Sequence, residues 1–154
     1  MSQRSLVEYF TSDHRDCDER WAGVEDAAQG GASEAVRRAF RRFDHALRTH
    51  LEMEERVLFP AFEDATGMHD GGPTFVMRME HEQMRGLLDQ MAAALAGGAT
   101  QELLDQGDSL LMLIQQHNAK EEGMLYPMAQ RALGAHWSAL RAALEPIHAG
   151  RDAD

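Results

Sequence analysis

The chain has little proline, almost no cysteine and too few cationic side chains to balance its acids, and each scarcity narrows its function. Four prolines in 154 residues, beside an ordinary 44% of hydrophobic residues, argue against disorder. The single cysteine, Cys17, has no intrachain disulfide to form, which fits a reducing cytoplasm. Fifteen lysines and arginines face 26 aspartates and glutamates. The net charge of -11 argues against nucleic acid or an anionic membrane as partner, because both need cationic neutralisation. No uninterrupted apolar run approaches the roughly 20 residues of a membrane span. Residues 1–8 lack the apolar run of a signal peptide. The expectation is a cytoplasmic, single-domain chain with a sizeable core.

What the chain has instead is a repeat. His50-Leu-Glu-Met-Glu54-Glu55-Arg-Val-Leu58-Phe59-Pro60 returns 67 positions later as His117-Asn-Ala-Lys-Glu121-Glu122-Gly-Met-Leu125-Tyr126-Pro127. The same offset carries Asp13-His14 onto Glu80-His81, and Ala65 and Gly67 onto Ala132 and Gly134. Such self-similarity is the mark of a duplicated structural unit.

The apolar spacing predicts helices. Val7, Phe10, His14, Cys17, Trp21, Val24 and Ala28 form one stripe in steps of three and four. Ser33 is the expected N-cap of a second helix, whose stripe runs Val36, Phe40, Phe43, Leu47, His50, Glu54, Val57 and Ala61. Pro60 should bend or end this helix, and Gly67 should stop it. Pro73 suits the first turn of a third helix, with Met77, His81, Met84, Leu88, Met91 and Leu95 as its stripe. Thr100 is the expected cap of a fourth, with Leu103, Gly107, Leu110, Ile114, His117, Glu121, Met124 and Met128; Gly134 should repeat the stop at Gly67. The expected fold is all-α: an up-down-up-down four-helix bundle with a pseudo-twofold internal repeat over residues 1–134. Residues 135–154 should add a short C-terminal helix and a tail to the same domain. Pro146 and the polar end beyond it are expected to fray.

Histidine and glutamate thus occupy positions where the pattern demands core residues. Residues four apart on a helix share a face. His50 with Glu54, and His117 with Glu121, therefore point inward, and His14 and His81 come from the other two helices. Buried carboxylates need positive charge, and no lysine or arginine lies on these stripes. A metal pair supplies it, because carboxylates can bridge two ions about 3.5–4 Å apart. Imidazole and carboxylate together leave the metal open among iron, zinc, copper and nickel.

This arrangement resembles the hemerythrin-like, HHE cation-binding family, through the HxxxEE..L[FY]P repeats and over about residues 5–134. The resemblance implies a non-haem di-iron centre bridged by two carboxylates and a solvent-derived oxygen. It makes His14, His50, His81 and His117 terminal ligands and Glu54 and Glu121 the bridges. Zinc or another divalent metal would replace the two iron ions in heterologously expressed protein. Family members carry or sense dioxygen, sense iron or nitric oxide, or turn over peroxide.

The expected function is therefore binding of dioxygen or a related small oxidant (peroxide or nitric oxide among the ligands) for sensing, storage or delivery. The alternatives are a di-iron enzyme acting on peroxide or ferrous iron, and a structural bundle stabilised by its metal. A homodimer or a separate signalling partner stays open. The chain also departs from classical oxygen-carrying hemerythrin, which has two histidines one turn apart on its third helix. Here Met77 and Arg85 flank His81, and Phe10 and Asp18 flank His14, at four positions' distance. Each metal is then expected to keep one open position unless water, Asp18 or Met77 fills it.

Several residues carry weaker expectations. Glu55 and Glu122 point about 100° away from the inner glutamates, so they belong beside the site or on the surface. Phe59 and Tyr126 should pack near it, with a Tyr126 hydrogen bond as the lesser option. His45, His69, His136 and His148 have no counterpart in the repeat and are expected at the surface. Arg37, Arg38, Arg41 and Arg42 should form a solvated face.

Overall fold

In a computed structural model, which describes residues 4–152, the first helix starts with a capping box. The Ser5 hydroxyl accepts from the Glu8 backbone N–H, and the Glu8 carboxylate accepts from the Ser5 N–H. Helix α1 (Leu6–Gly30) ends at Gly31, whose φ of 77° suits a residue without a Cβ. Helix α2 spans Ser33–Met53. The cap position falls on Ala32, not Ser33, and makes no side-chain hydrogen bond. Likewise Ala99, not Thr100, precedes helix α5 (Thr100–Lys120). Both hydroxyl residues have already entered the helix, so neither caps it.

Pro60 does not end its helix, which runs on to Thr66. A proline has no N–H to give to the carbonyl four residues back. The backbone widens beforehand into a π turn over Glu54–Leu58, closed by the Phe59 N–H on the Glu54 carbonyl. Helix α3 (Phe59–Thr66) then resumes with Pro60 in its first turn, where no donor is needed. The second repeat does the same: α5 passes through a π turn at Glu121–Leu125 into helix α6 (Tyr126–Leu133). A five-residue closure brings residue i+5 back over residue i, so Phe59 and Tyr126 face the same way as Glu54 and Glu121.

Helix α4 (Pro73–Ala96) opens with Pro73 at its first position, as the sequence predicts. Gly67 is left-handed at φ 75° and stops α3. Gly134 does not repeat it: at φ -54° the chain runs on through a 3-10 turn, Gly134–His136, into helix α7 (Trp137–Ala149). Pro146 lies inside α7 without ending it, and Gly150–Asp152 forms a further 3-10 turn. The fraying expected here is not seen through residue 152, because Arg151 pairs with Asp13. Residues 153–154 lie outside the described region.

Four rods result: α1, α2 with α3, α4, and α5 with α6. They run up-down-up-down, with α1 packed on α2 and α4 on α5. The core comes in two apolar clusters. One holds Trp21, Phe40, Phe43, Leu88, Leu103 and Leu110. The other holds Phe10, Phe59, Phe62, Tyr126, Trp137 and Leu144. On every rod a buried histidine, with Asp13, Glu54 or Glu121 nearby on three of them, lies where the two clusters meet, making a polar layer across the bundle. Among the described residues there is no strand, and no helix is long and apolar enough to cross a membrane.

Candidate metal centre

The polar layer contains His14 from α1, His50 and Glu54 from the second rod, His81 from α4, and His117 and Glu121 from the fourth. All six are at most 2% exposed. The structure thus brings together every ligand position expected from the sequence. The two carboxylates lie at the centre. Glu54 Oε1 is 3.5 Å from His50 Nε2 and 3.1 Å from His81 Nε2. Glu121 Oε1 is 3.0 Å from His14 Nε2 and 3.2 Å from His117 Nε2. Glu54, His81, His117 and Glu121 each present an atom within 4.8 Å of the others', and so do His14, His50 and Glu121.

These atoms converge without satisfying one another. Glu54 Oε1, Glu121 Oε2, His81 Nε2 and His117 Nε2 are buried and make no well-oriented hydrogen bond. A buried polar atom left unpaired costs about 1–3 kcal/mol. Four at one point suit a group that accepts lone pairs from all of them, which is what a cation does. Nitrogen and carboxylate oxygen in this ratio fit iron or zinc.

Around this set lies a ring of acids that sequence reasoning undervalued. Each inner histidine gives its Nδ1 to a carboxylate: His50 to Asp13 at 2.8 Å, His117 to Glu80 at 2.8 Å, His14 to Glu122 at 2.7 Å and His81 to Glu55 at 2.6 Å. The pairings obey the repeat, since Asp13 and Glu80, like Glu55 and Glu122, are 67 positions apart. An Nδ1–H held this way leaves the Nε2 lone pair free and raises its basicity. Cations back the acids in turn: Arg151 on Asp13, Lys120 on Glu80, Arg15 on Glu122 and Arg85 on Glu55. Asp13 and Glu80 are visible in the sequence as repeat members directly before His14 and His81, but nothing there shows that they reach across to His50 and His117.

The charges shift accordingly. Burial disfavours the charged form of His50, but Glu54 and Asp13 outweigh it and raise the imidazole to about 9. His81 rises to about 9 against the same burial, through Glu54 and Glu55. Glu54 is raised by burial and by the neighbouring Glu121 carboxylate. Glu55, despite its burial, is lowered to about 2 by His81 and Arg85. The Tyr126 phenol is pushed well above its usual range by burial and by both inner glutamates.

Tyr126 reaches the centre directly, its hydroxyl donating to Glu54 Oε2 at 2.6 Å. Phe59, its counterpart, stacks on the His81 ring. Asp18 turns outward, 45% exposed and 4.0 Å from Arg15, so it fills no position at the centre. Met77 is buried among the apolar residues of the second cluster. His69 and His136 are exposed as expected, and so are the four arginines 37, 38, 41 and 42. His45 is only half-buried, and His148 departs further: it is 29% exposed with Nε2 3.6 Å from Asp13 Oδ1, because α7 folds back against α1.

Residues 5–129 match the family model described as the hemerythrin HHE cation binding domain. The chain is also 34% identical, over 96 residues, to the "Iron-sulfur cluster repair protein YtfE" of Edwardsiella ictaluri (strain 93-146). That alignment covers 57% of this chain and 42% of the relative, so the chain spans less than half of that protein's length. No solved structure matches the chain.

Proposed function

The chain belongs to the hemerythrin HHE cation-binding family, and from that premise we propose that it is a non-haem di-iron protein that binds dioxygen or a related small oxidant, peroxide or nitric oxide, for sensing, storage or delivery. Its ligands in this reading are His14, His50, His81 and His117, with Glu54 and Glu121 as bridges. Zinc or another divalent metal takes the place of iron in heterologously expressed protein. One observation carries the reading: four imidazole nitrogens and two carboxylates converge in a sealed layer, and four of their atoms lack any hydrogen bond.

A bound iron pair supplies redox change and affinity for small oxidants. The chain supplies the rest. Asp13, Glu55, Glu80 and Glu122 fix the histidine tautomers, which aims every Nε2 inward. Glu54 and Glu121 each face histidines of both halves, as bridges must. Phe10, 6.0 Å from His50 between ring centroids, and Phe59 exclude water from one side. Residues 1–134 and 135–154 act here as one domain in the cytoplasm, a reading supported by Trp137 and Leu144, which share an apolar cluster with Phe10 and Tyr126.

The test is an oxygen cycle. Ferrous protein prepared without oxygen is exposed to oxygen, which is then removed, while the visible spectrum is followed. A reversible change is the expected result. Irreversible oxidation with peroxide turnover moves the chain to the enzyme class, and no response at all leaves only a structural metal.

The relative's name favours a second reading, a part in iron–sulfur cluster repair, which this chain would take by giving up its bound iron to a damaged cluster. Transfer of labelled iron from the loaded chain to a cluster-free acceptor protein supports it, and retention of the label contradicts it.

A further inference from the structure

The two halves of the centre differ in the aromatic residue that follows the π turn. Where the second repeat carries Tyr126, the first carries Phe59. Tyr126 is fully buried, and its hydroxyl lies 2.6 Å from Glu54 Oε2, 3.0 Å from Glu121 Oε1, 3.0 Å from His14 Nε2 and 3.4 Å from His50 Nε2. Phe59 stacks on His81 at 5.5 Å between centroids and offers no donor atom there.

These spacings carry information. Ligand atoms about 2.1 Å from a six-coordinate ion lie about 3.0 Å from their neighbours. The phenol oxygen keeps about that separation from all four atoms, and His14 Nε2 keeps it from Glu121 Oε1 at 3.0 Å. The oxygen therefore sits where a further ligand of one ion would sit. The donor sets point the same way. His81 and His117 gather with both inner glutamates, whereas His14 and His50 gather tightly with Glu121 alone. The sparser half is the one beside the phenol. A phenolate oxygen is a hard, anionic donor, suited to oxidised iron.

Resting on the di-iron reading above, we propose that Tyr126 is a seventh protein ligand, bound through its oxygen to the ion held by His14 and His50. The phenol proton is released to solvent as the metal–oxygen bond forms. The centre is then unequal. With Tyr126 beside two histidines, two shared carboxylates and the bridging oxygen, the ion of His14 and His50 would have no open position, and the ion of His81 and His117 alone would keep one, which is where small ligands bind.

The experiment uses the full chain, loaded with iron, oxidised to the ferric state and assayed for bound iron. The expected result is a visible phenolate-to-ferric charge-transfer band, with tyrosine ring modes enhanced in the resonance Raman spectrum. Azide, used as the probe anion, should bind once per iron pair. In Tyr126→Phe, which copies the residue of the first repeat, the band per bound iron should vanish and azide should bind twice. Phe59→Tyr is the converse: the band per iron should rise and azide binding should weaken. Two irons in the parent chain without a phenolate band overturn the tyrosine ligand and leave the di-iron reading standing. A band that survives in Tyr126→Phe, beside Tyr9 as the remaining tyrosine, also overturns it. A parent chain that takes up no iron overturns both.

Discussion

At the residue scale the centre is two nested shells that obey one symmetry. Every inner histidine spends its Nδ1 on an acid, and every acid is backed by an arginine or lysine. Removing such an outer acid from a metal site typically lowers affinity about 10–100-fold. Asp13→Ala is expected to do so, because Asp13 is 5% exposed and holds His50 at 2.8 Å. Competition against a chelator of known affinity measures it, and an unchanged affinity would show that Asp13 only packs. The six inner positions were legible because histidine and glutamate stood on apolar stripes, twice over. The outer acids were less so: Glu55 and Glu122 fall off the stripe by helix geometry, and nothing local says that they lean back onto the other half's histidines. Tyr126 was harder still, since its role depends on the π turn before it. Ser33 and Thr100 misled because a hydroxyl near a helix start carries no mark of whether it stands one residue before the helix or inside it.

At the element scale two local devices place the site. The π turns set the inner glutamates and the aromatic residues after them on one face, and they absorb Pro60 and Pro127. Spacing alone predicts a bend or an end at Pro60, because it does not show the π turn that precedes the proline. The second device is Gly107 on α5. A Cβ built there would lie 2.2 Å from the Trp21 ring, which also packs on Phe43. Gly107→Ala gains about 1 kcal/mol of helix propensity. Overpacking in a close-packed core costs about 1–3 kcal/mol. Trp21 is 3% exposed and cannot swing out, so the balance falls toward destabilisation. The melting temperature should drop by about 2–4 °C for each kcal/mol lost. A melting temperature equal to or above the parent's would mean that the ring yields freely.

At the scale of the whole molecule, a polar layer separates two apolar cores, and its charge couples metal loading to folding and pH. His50 and His81 rise to about 9 from an ordinary 6.5. Groups raised on folding contribute stability that is full below the unfolded value and lost as pH climbs through the folded one. The metal-free chain should therefore melt lower at pH 10 than at pH 6. Metal loading runs the other way: the ion must displace those protons, so affinity should fall as pH drops from about 9. Melting curves with and without metal across this range check both signs, and parallel curves would contradict the link. The bundle itself was legible from periodicity, while the packing of α7 against α1 was not, since only its own apolar side shows in the sequence. In the proposed function this layer holds a pair of iron ions. The most direct measurement is iron per chain after anaerobic reconstitution and removal of loose metal, with Mössbauer spectra of the oxidised product. Two irons per chain in a spin-coupled pair are expected; one iron or none, or two that are magnetically independent, would rule the di-iron centre out.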